Sequence, residues 1–158
     1  MNITFPKIST VNLEGVKFEL PGDFKGKLNI IIIAFKREQQ DLIDEWIPFM
    51  EGLVNKNQNL AYYELPTLKT SYSLFRGIID GGMRAGIPDK NARERTITLY
   101  LNKKAFMKEL DIPDEKTIYI LLINKEGKII WRTRGGYSRE KLFDLENAIL
   151  FDLQTKER

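Results

Sequence analysis

Five consecutive polar residues, Lys36-Arg37-Glu38-Gln39-Gln40, follow directly on an apolar run that ends at Ala34-Phe35. A strand that gives way to a helix at such a junction exposes backbone N–H donors and the positive end of a helix dipole, which suits a carboxylate, a phosphate or a carbonyl-bearing ligand. The plain alternative is a solvated helix start in which Glu38 and Asp41 complement the dipole. Glu64 stands before Leu65-Pro66 at the end of a second apolar run, and α/β folds bind ligands beyond the carboxyl ends of their strands. It could equally do no more than pair with an arginine. A third group is basic: Arg76, Arg84, Lys90, Arg93 and Arg95, interrupted by Gly81-Gly82 and Gly86. Guanidinium groups grip planar anions in bidentate fashion, but Asp80, Asp89 and Glu94 lie among them and argue for a solvated loop. Trp46 and Trp131 fall on apolar faces and read as core.

What is missing narrows the chemistry further. The chain has no cysteine and no histidine. Disulfides, thiolate nucleophiles and thiol redox catalysis are therefore excluded. The proton shuttle near neutral pH and the usual zinc ligands are absent too. Asp41, Asp44 and Glu45 share a helix start and could chelate a hard cation, but acidic residues in a first turn usually serve the dipole, so no metal is expected. Gly81-Gly82 and Gly135-Gly136 fit neither a P-loop nor a dinucleotide fingerprint, so no cofactor is expected either.

With 158 residues, 42% of them apolar, the chain is long enough for one core, and residues 1–158 read as a single globular domain. No signal or transit segment is legible at the start. The longest apolar run, Ile30 to Phe35, is too short to cross a bilayer. A soluble, cytoplasmic protein is the expectation, and a net charge of +3 is too mild to argue for a nucleic-acid partner.

The elements that must position these residues follow from periodicity. Ile8 to Val11 and Val16 to Leu20, around Glu14-Gly15, alternate as a β-hairpin. Leu28 to Phe35 has the unbroken apolar run of a strand buried on both faces. Gln40 to Val54 spaces Leu42, Ile43, Trp46, Ile47, Met50, Leu53 and Val54 as one helical face, with a kink predicted at Pro48. Leu60 to Leu65 reads as a strand closed by Pro66, and Ser71 to about Asp80 as a helix with Tyr72, Phe75, Ile78 and Ile79 inward. Gly81 to Arg95 reads as a loop or short irregular helix. Thr96 to Leu101 alternates as a strand, and Asn102 caps a short helix to about Leu110. Thr117 to Asn124 and Lys128 to Arg134 form a hairpin through Lys125-Glu126-Gly127. Ser138 caps a last helix that buries Leu142, Leu145, Ile149 and Leu153.

Hairpin, βαβα, strand with short helix, then hairpin and last helix is an order that resembles the thioredoxin-like fold in its peroxiredoxin and TlpA-type elaboration. The segment Phe18 to Lys27 is similar to that family's lead-in strand, loop and Gly-Lys before the central strand. Ile120 to Arg132 with Gly135-Gly136 is similar to its closing hairpin. The resemblance implies an α/β three-layer sandwich with a central mixed sheet and an N-terminal hairpin extension. It also implies a reactive cysteine just after the central strand, where this chain has Phe35 to Asp41, and a cis-proline near Lys116 or Thr117, where the nearest proline is Pro113. Within that superfamily, Tyr62-Tyr63-Glu64-Leu65-Pro66 and Gly127-Lys128-Ile129-Ile130-Trp131-Arg132 resemble the mitochondrial ATP synthase assembly factors, which act as chaperones for a membrane subunit.

Together these readings point to a non-redox, thioredoxin-like domain that binds a protein or peptide as an assembly factor. Lys36, Arg37, Glu38, Gln39, Gln40, Glu64 and Thr117 are the candidate groove. The competing reading is an enzyme or carrier that holds a small anion between Glu64 and Arg84 or Arg93. Peripheral contact with a membrane complex and a homodimer through an exposed sheet edge are further expectations.

Overall fold

The computed structural model describes residues 2–156. Their elements run β1 (Ile8–Val11), β2 (Lys17–Leu20), β3 (Leu28–Ala34), α1 (Gln40–Lys56), β4 (Leu60–Lys69), α2 (Arg76–Gly86), α3 (Lys90–Arg95), β5 (Leu99–Leu101), α4 (Lys103–Glu109), β6 (Tyr119–Asn124), β7 (Ile129–Arg134) and α5 (Arg139–Lys156). Tight 3₁₀ turns at Arg37–Gln39 and Thr70–Phe75 precede α1 and α2.

Each residue of β3 is buried, so the strand must be paired on both edges and covered on both faces. It pairs in parallel with β4 and antiparallel with β6, at the centre of a mixed sheet ordered β5-β4-β3-β6-β7. Alternation then divides its side chains. Ile31 and Ile33 enter a core with Phe18 and Leu20 of β2, Phe5, Phe24 and Phe106 of α4. Ile30, Ile32 and Ala34 enter a second core with Ile43, Trp46 and Met50 of α1 and Leu145 and Ile149 of α5. Burial of each isoleucine side chain stabilises the fold by roughly 1.5–3 kcal/mol. The expected α/β sandwich, with its central mixed sheet and N-terminal hairpin, is the observed one. The polar exception in β3, Asn29, is fully buried. It accepts from Gly26 N at 2.8 Å and donates to Gly26 O at 3.0 Å.

Several expected boundaries shift for identifiable reasons. Pro66 does not close β4, which runs on to Lys69 and pairs Thr67–Lys69 with Leu99–Leu101. The proline instead interrupts the ladder to the β5 side, between an isolated Glu64–Thr96 bridge and the Thr67–Leu99 pair, as a residue without an N–H must. Thr96–Thr98 is not regular strand because the hairpin takes its carbonyls: Leu13 N donates to Thr96 O and Thr10 Oγ1 to Thr98 O. Pro48 lies on the solvent face of α1, which continues through it. Gly81-Gly82 lies inside α2, and Asp89 caps α3 by accepting from Asn91 N. Asn102 and Ser138 cap α4 and α5 as expected.

One expectation is overturned in large part. Of the four residues expected inward, Tyr72, Phe75 and Ile78 are 48%, 54% and 77% exposed and only Ile79 is partly buried; neither the Thr70–Phe75 turn nor α2 contains a fully buried residue. Polar groups anchor this segment instead. Arg76 bonds Thr10 Oγ1 at 3.0 Å, pairs with Asp80 at 3.3 Å and lies over the Tyr100 ring, while Tyr100 donates to Asp80 at 2.8 Å.

Gly26 tests how tightly the entry to β3 is built. A Cβ there would collide with the Leu28 carbonyl and stand 2.9 Å from Ala61 N. Gly26→Ala should lower stability in urea denaturation by about 1–3 kcal/mol; a wild-type midpoint would show that the turn relaxes freely.

Candidate functional site

The carboxyl ends of β3, β4 and β5 and the start of β6 lie at one end of the sheet, because the first three strands are parallel and β6 runs against them. The residues after Phe35 are built there. Lys36, Arg37, Glu38 and Gln40 are exposed, but Gln39 is buried. Its Oε1 accepts from Phe35 N at 2.8 Å and Lys36 N at 3.3 Å, and its Nε2 donates to Glu115 O at 2.7 Å. The side chain thus closes the turn into α1 and ties it to the loop that leads into β6, next to partly buried Thr117.

A second tie reinforces this brace. Lys103, at the start of α4, is only 15% exposed, pairs with the Glu115 carboxylate and lies 5.7 Å from the Phe35 ring centroid. On the far side of the same loop, Asp114 accepts from Lys116 N and from Tyr119 OH, each at 3.0 Å. The Lys116 N–H and the Tyr119 hydroxyl, with Arg134 nearby, hold its carboxyl below the usual range. The cis peptide at Leu20-Pro21 is the only one among the described residues, so no cis-proline shapes the 113–117 loop. At this end of the sheet no group can act as a nucleophile of the thiol kind; what it offers is a fixed polar surface.

The remaining candidates separate into two other places. Glu64 is partly buried beneath the start of α1. Burial raises its carboxyl above the ordinary value, and Asp44 adds to the rise, while Gln40 and Arg95 oppose it. Arg84 and Arg93 are not its partners. Both converge on Glu14 of the hairpin turn, Arg84 at 3.7 Å and Arg93 more closely. Arg93 also donates to the carbonyls of Ile87 and Pro88 at 2.8 Å. Its guanidinium therefore holds α3 and the hairpin together, and the geometry does not assemble an anion site from Glu64 with Arg84 or Arg93. Asp44 accepts from Gln40 and Glu45 from Tyr137 N, and among the described residues no three acidic groups gather around a possible cation.

Sequence reasoning missed one polar cluster. Tyr62 donates to Glu51 at 2.6 Å, Arg95 reaches the same oxygen at 2.5 Å, and the guanidinium lies 4.7 Å from the Tyr62 ring centroid. Burial pushes the Tyr62 hydroxyl up and its bond to Glu51 pushes further. Burial works against the Glu51 charge, but the Tyr62 and Arg95 bonds prevail and lower its carboxyl. Adjacent tyrosines, Glu51 and one arginine of a basic stretch carry no spacing signal that would bring them together. Trp46 is fully buried and donates to Gly135 O at 3.0 Å, and Trp131 packs partly buried on the same core, so both are core as expected.

The sequence pattern of the ATP10 protein family matches residues 2–149. The chain belongs to that assembly-factor family. No curated protein sequence matches it. Among solved structures it is similar to a Sco-family cytochrome c oxidase assembly protein, BsSco, with 13% identity, 94% of each chain covered and a TM-score of 0.66. The thioredoxin domain of a thiol-disulfide oxidoreductase from Bacteroides vulgatus aligns with 19% identity over 92% of this chain and 94% of that one, at a TM-score of 0.59. A DsbF homologue from Corynebacterium diphtheriae gives 11% identity, 92% and 85% coverage and a TM-score of 0.59. These likenesses establish the thioredoxin-like fold.

Two expected outcomes follow from this geometry. Gln39→Ala removes both backbone acceptor contacts and the Glu115 contact, so it should cost about 2–3 kcal/mol and speed amide exchange at Phe35. Unchanged exchange there would mean that the turn holds without the brace. Glu64 carries an acid whose folded value is raised above 4.5, so its contribution to stability is greatest below that value and is lost as pH rises through the folded value. Glu64→Gln should therefore raise the unfolding midpoint at about pH 7 and leave it unchanged near pH 4; a gain at both pH values would assign the effect to packing.

Proposed function

We propose that this protein is a non-redox assembly factor that works in the cytoplasm and holds a protein client of a membrane complex against the end of the sheet carrying Lys36, Arg37, Glu38, Gln40 and Thr117. The observation that carries this reading is the Gln39 brace. At the position where the thioredoxin-like resemblance implies a cysteine, a buried amide joins the β3 exit to the β6 loop, and the chain has no thiol to replace it. Membership of the ATP10 protein family supports the assembly role. The fold keeps its architecture at this end while its chemistry is limited to hydrogen bonds and charge, which is what a holding surface requires. Among the described residues no helix is long and apolar enough to cross a membrane, so in this reading the client supplies the membrane-embedded part.

The reading is tested in the native host. Loss of this protein should reduce the amount of one multisubunit membrane complex on native gels and leave an unassembled subunit behind. A Lys36→Glu/Arg37→Glu variant, expressed at the normal level, should fail to restore that complex, and detergent-solubilised capture with the wild type should recover the unassembled subunit. If all such complexes assemble normally without the protein, the proposal fails.

A further inference from the structure

The segment after β4 turns most of its large apolar side chains to solvent. Its inner side carries Arg76, Ile79, Asp80 and Met83, all partly buried and spaced as one helical face, and is held through the contacts of Arg76 and Asp80 with Thr10 and Tyr100 and a 3.6 Å contact from Thr98 Oγ1 to the Met83 sulfur. Its outer side presents Tyr72, Leu74, Phe75 and Ile78, with Leu74 89% exposed and Ile78 77% exposed. A Cβ added at any glycine of α2 would meet nothing within 4 Å, so the helix stands clear of the rest of the protein on those sides. Large side chains in such a cluster are uncommon on a monomer's surface unless something covers them.

Position and charge indicate what does. The last β3–β4 pair is Ala34–Pro66, yet β4 continues to Lys69. The Thr70–Phe75 turn therefore starts three residues beyond the last β3–β4 pair, at the level of Leu101, and α2 then lies along the β5 edge, where Arg76 and Asp80 contact Thr98 and Tyr100. At the same end of the sheet Lys36, Arg37, Lys69, Lys104 and Lys116 are all exposed, and none of them is in an ion pair among the described residues. Glu38, Asp41 and Asp111, likewise exposed and in no ion pair among the described residues, oppose them, which leaves the cations in excess. An exposed apolar cluster next to exposed, unpaired cations at the same end of the sheet matches an interface whose outer layer is anionic and whose interior is hydrocarbon. Peripheral segments of this kind bury their apolar side to a depth of about 5–10 Å while lysines and arginines contact the headgroups.

We propose that Tyr72, Leu74, Phe75 and Ile78 dock this end of the sheet onto an anionic lipid surface, with Lys69 and Lys104 among the residues that meet the headgroups. This inference does not rest on the assembly reading, because lipid vesicles contain no client. Its failure would leave that reading standing.

Sedimentation with vesicles tests it. The wild type should bind vesicles of phosphatidylcholine with about one-third phosphatidylglycerol, bind neutral vesicles much less, and be released by high salt. Leu74→Glu/Phe75→Glu should weaken binding by about tenfold or more with unchanged circular dichroism and melting midpoint. Lys69→Glu/Lys104→Glu should weaken it severalfold. Phe143→Glu/Phe151→Glu, on exposed apolar residues of α5, should bind as the wild type does. Equal binding to neutral vesicles, or equal loss in the α5 variant, would overturn the proposal. So would a wild type that ignores vesicles and dimerises through this apolar cluster in analytical ultracentrifugation.

Discussion

A strand with no exposed residue must be paired along both edges and covered on both faces, and Leu28–Ala34 is such a strand. That requirement fixes β4 and β6 as its neighbours and divides the apolar residues of the chain between two cores. The faces differ in what covers them: the hairpin and α4 on one side, α1 and α5 on the other. Where β3 ends, the protection ends too. Phe35 N–H and Lys36 N–H point into a junction with no further strand to bond, and the Gln39 side chain accepts both. Buried backbone donors need partners, so the apolar strand itself creates the need that Gln39 meets.

Much of the architecture was legible because period and burial coincide in its strongest elements. The unbroken Ile30–Ile33 run could only be a strand covered on both faces. Ile43, Trp46 and Met50 keep helical spacing opposite it, and Asn102 and Ser138 announce their helices by capping chemistry. Legibility failed where periodicity and burial part company. Tyr72, Phe75 and Ile78 show the spacing of an amphipathic helix, but spacing reports only that one side is apolar. It cannot say that Arg76 and Asp80 find Thr10 and Tyr100 elsewhere in the chain, and so turn inward the side that carries them together with Ile79 and Met83. Pro66 misled in a similar way. It breaks one ladder of a strand whose other edge continues, a distinction that depends on which neighbour lies on which side.

The candidate site was legible in location and not in content. Strand order places Lys36 to Gln40, Lys69 and Thr117 at one end of the sheet, and the sequence order implies as much. Whether a glutamine there faces solvent or forms the core of a brace depends on a carbonyl 76 residues away, at Glu115. The arginines show the same limit. Arg84, Arg93 and Arg95 lie close together in sequence, yet two serve Glu14 and the third serves Glu51 and Tyr62. A cluster of like charges in one dimension becomes two separate structural ties in three.

A thioredoxin-like fold without thiols still presents an end of its sheet to solvent, and the question is how that end can recognise anything. In the braced arrangement the turn after β3 is tied down: Gln39 and Lys103 both bind Glu115, one at its carbonyl and one at its carboxylate, and Lys103 lies over the Phe35 ring. Stiffness costs a site its capacity to rearrange but lowers the entropy lost on binding. The groups left free of such ties lie at the periphery, on side chains that the fold does not use, such as Lys36, Arg37 and the exposed apolar residues after β4. A total charge of +3 conceals this, since Arg84, Arg93 and Arg95 are drawn to the carboxylates of Glu14 and Glu51 within the fold while the exposed lysines at the end of the sheet pair with none. What this end of the sheet offers to solvent is therefore a few unpaired cations and exposed apolar groups around a hydrogen-bonded centre.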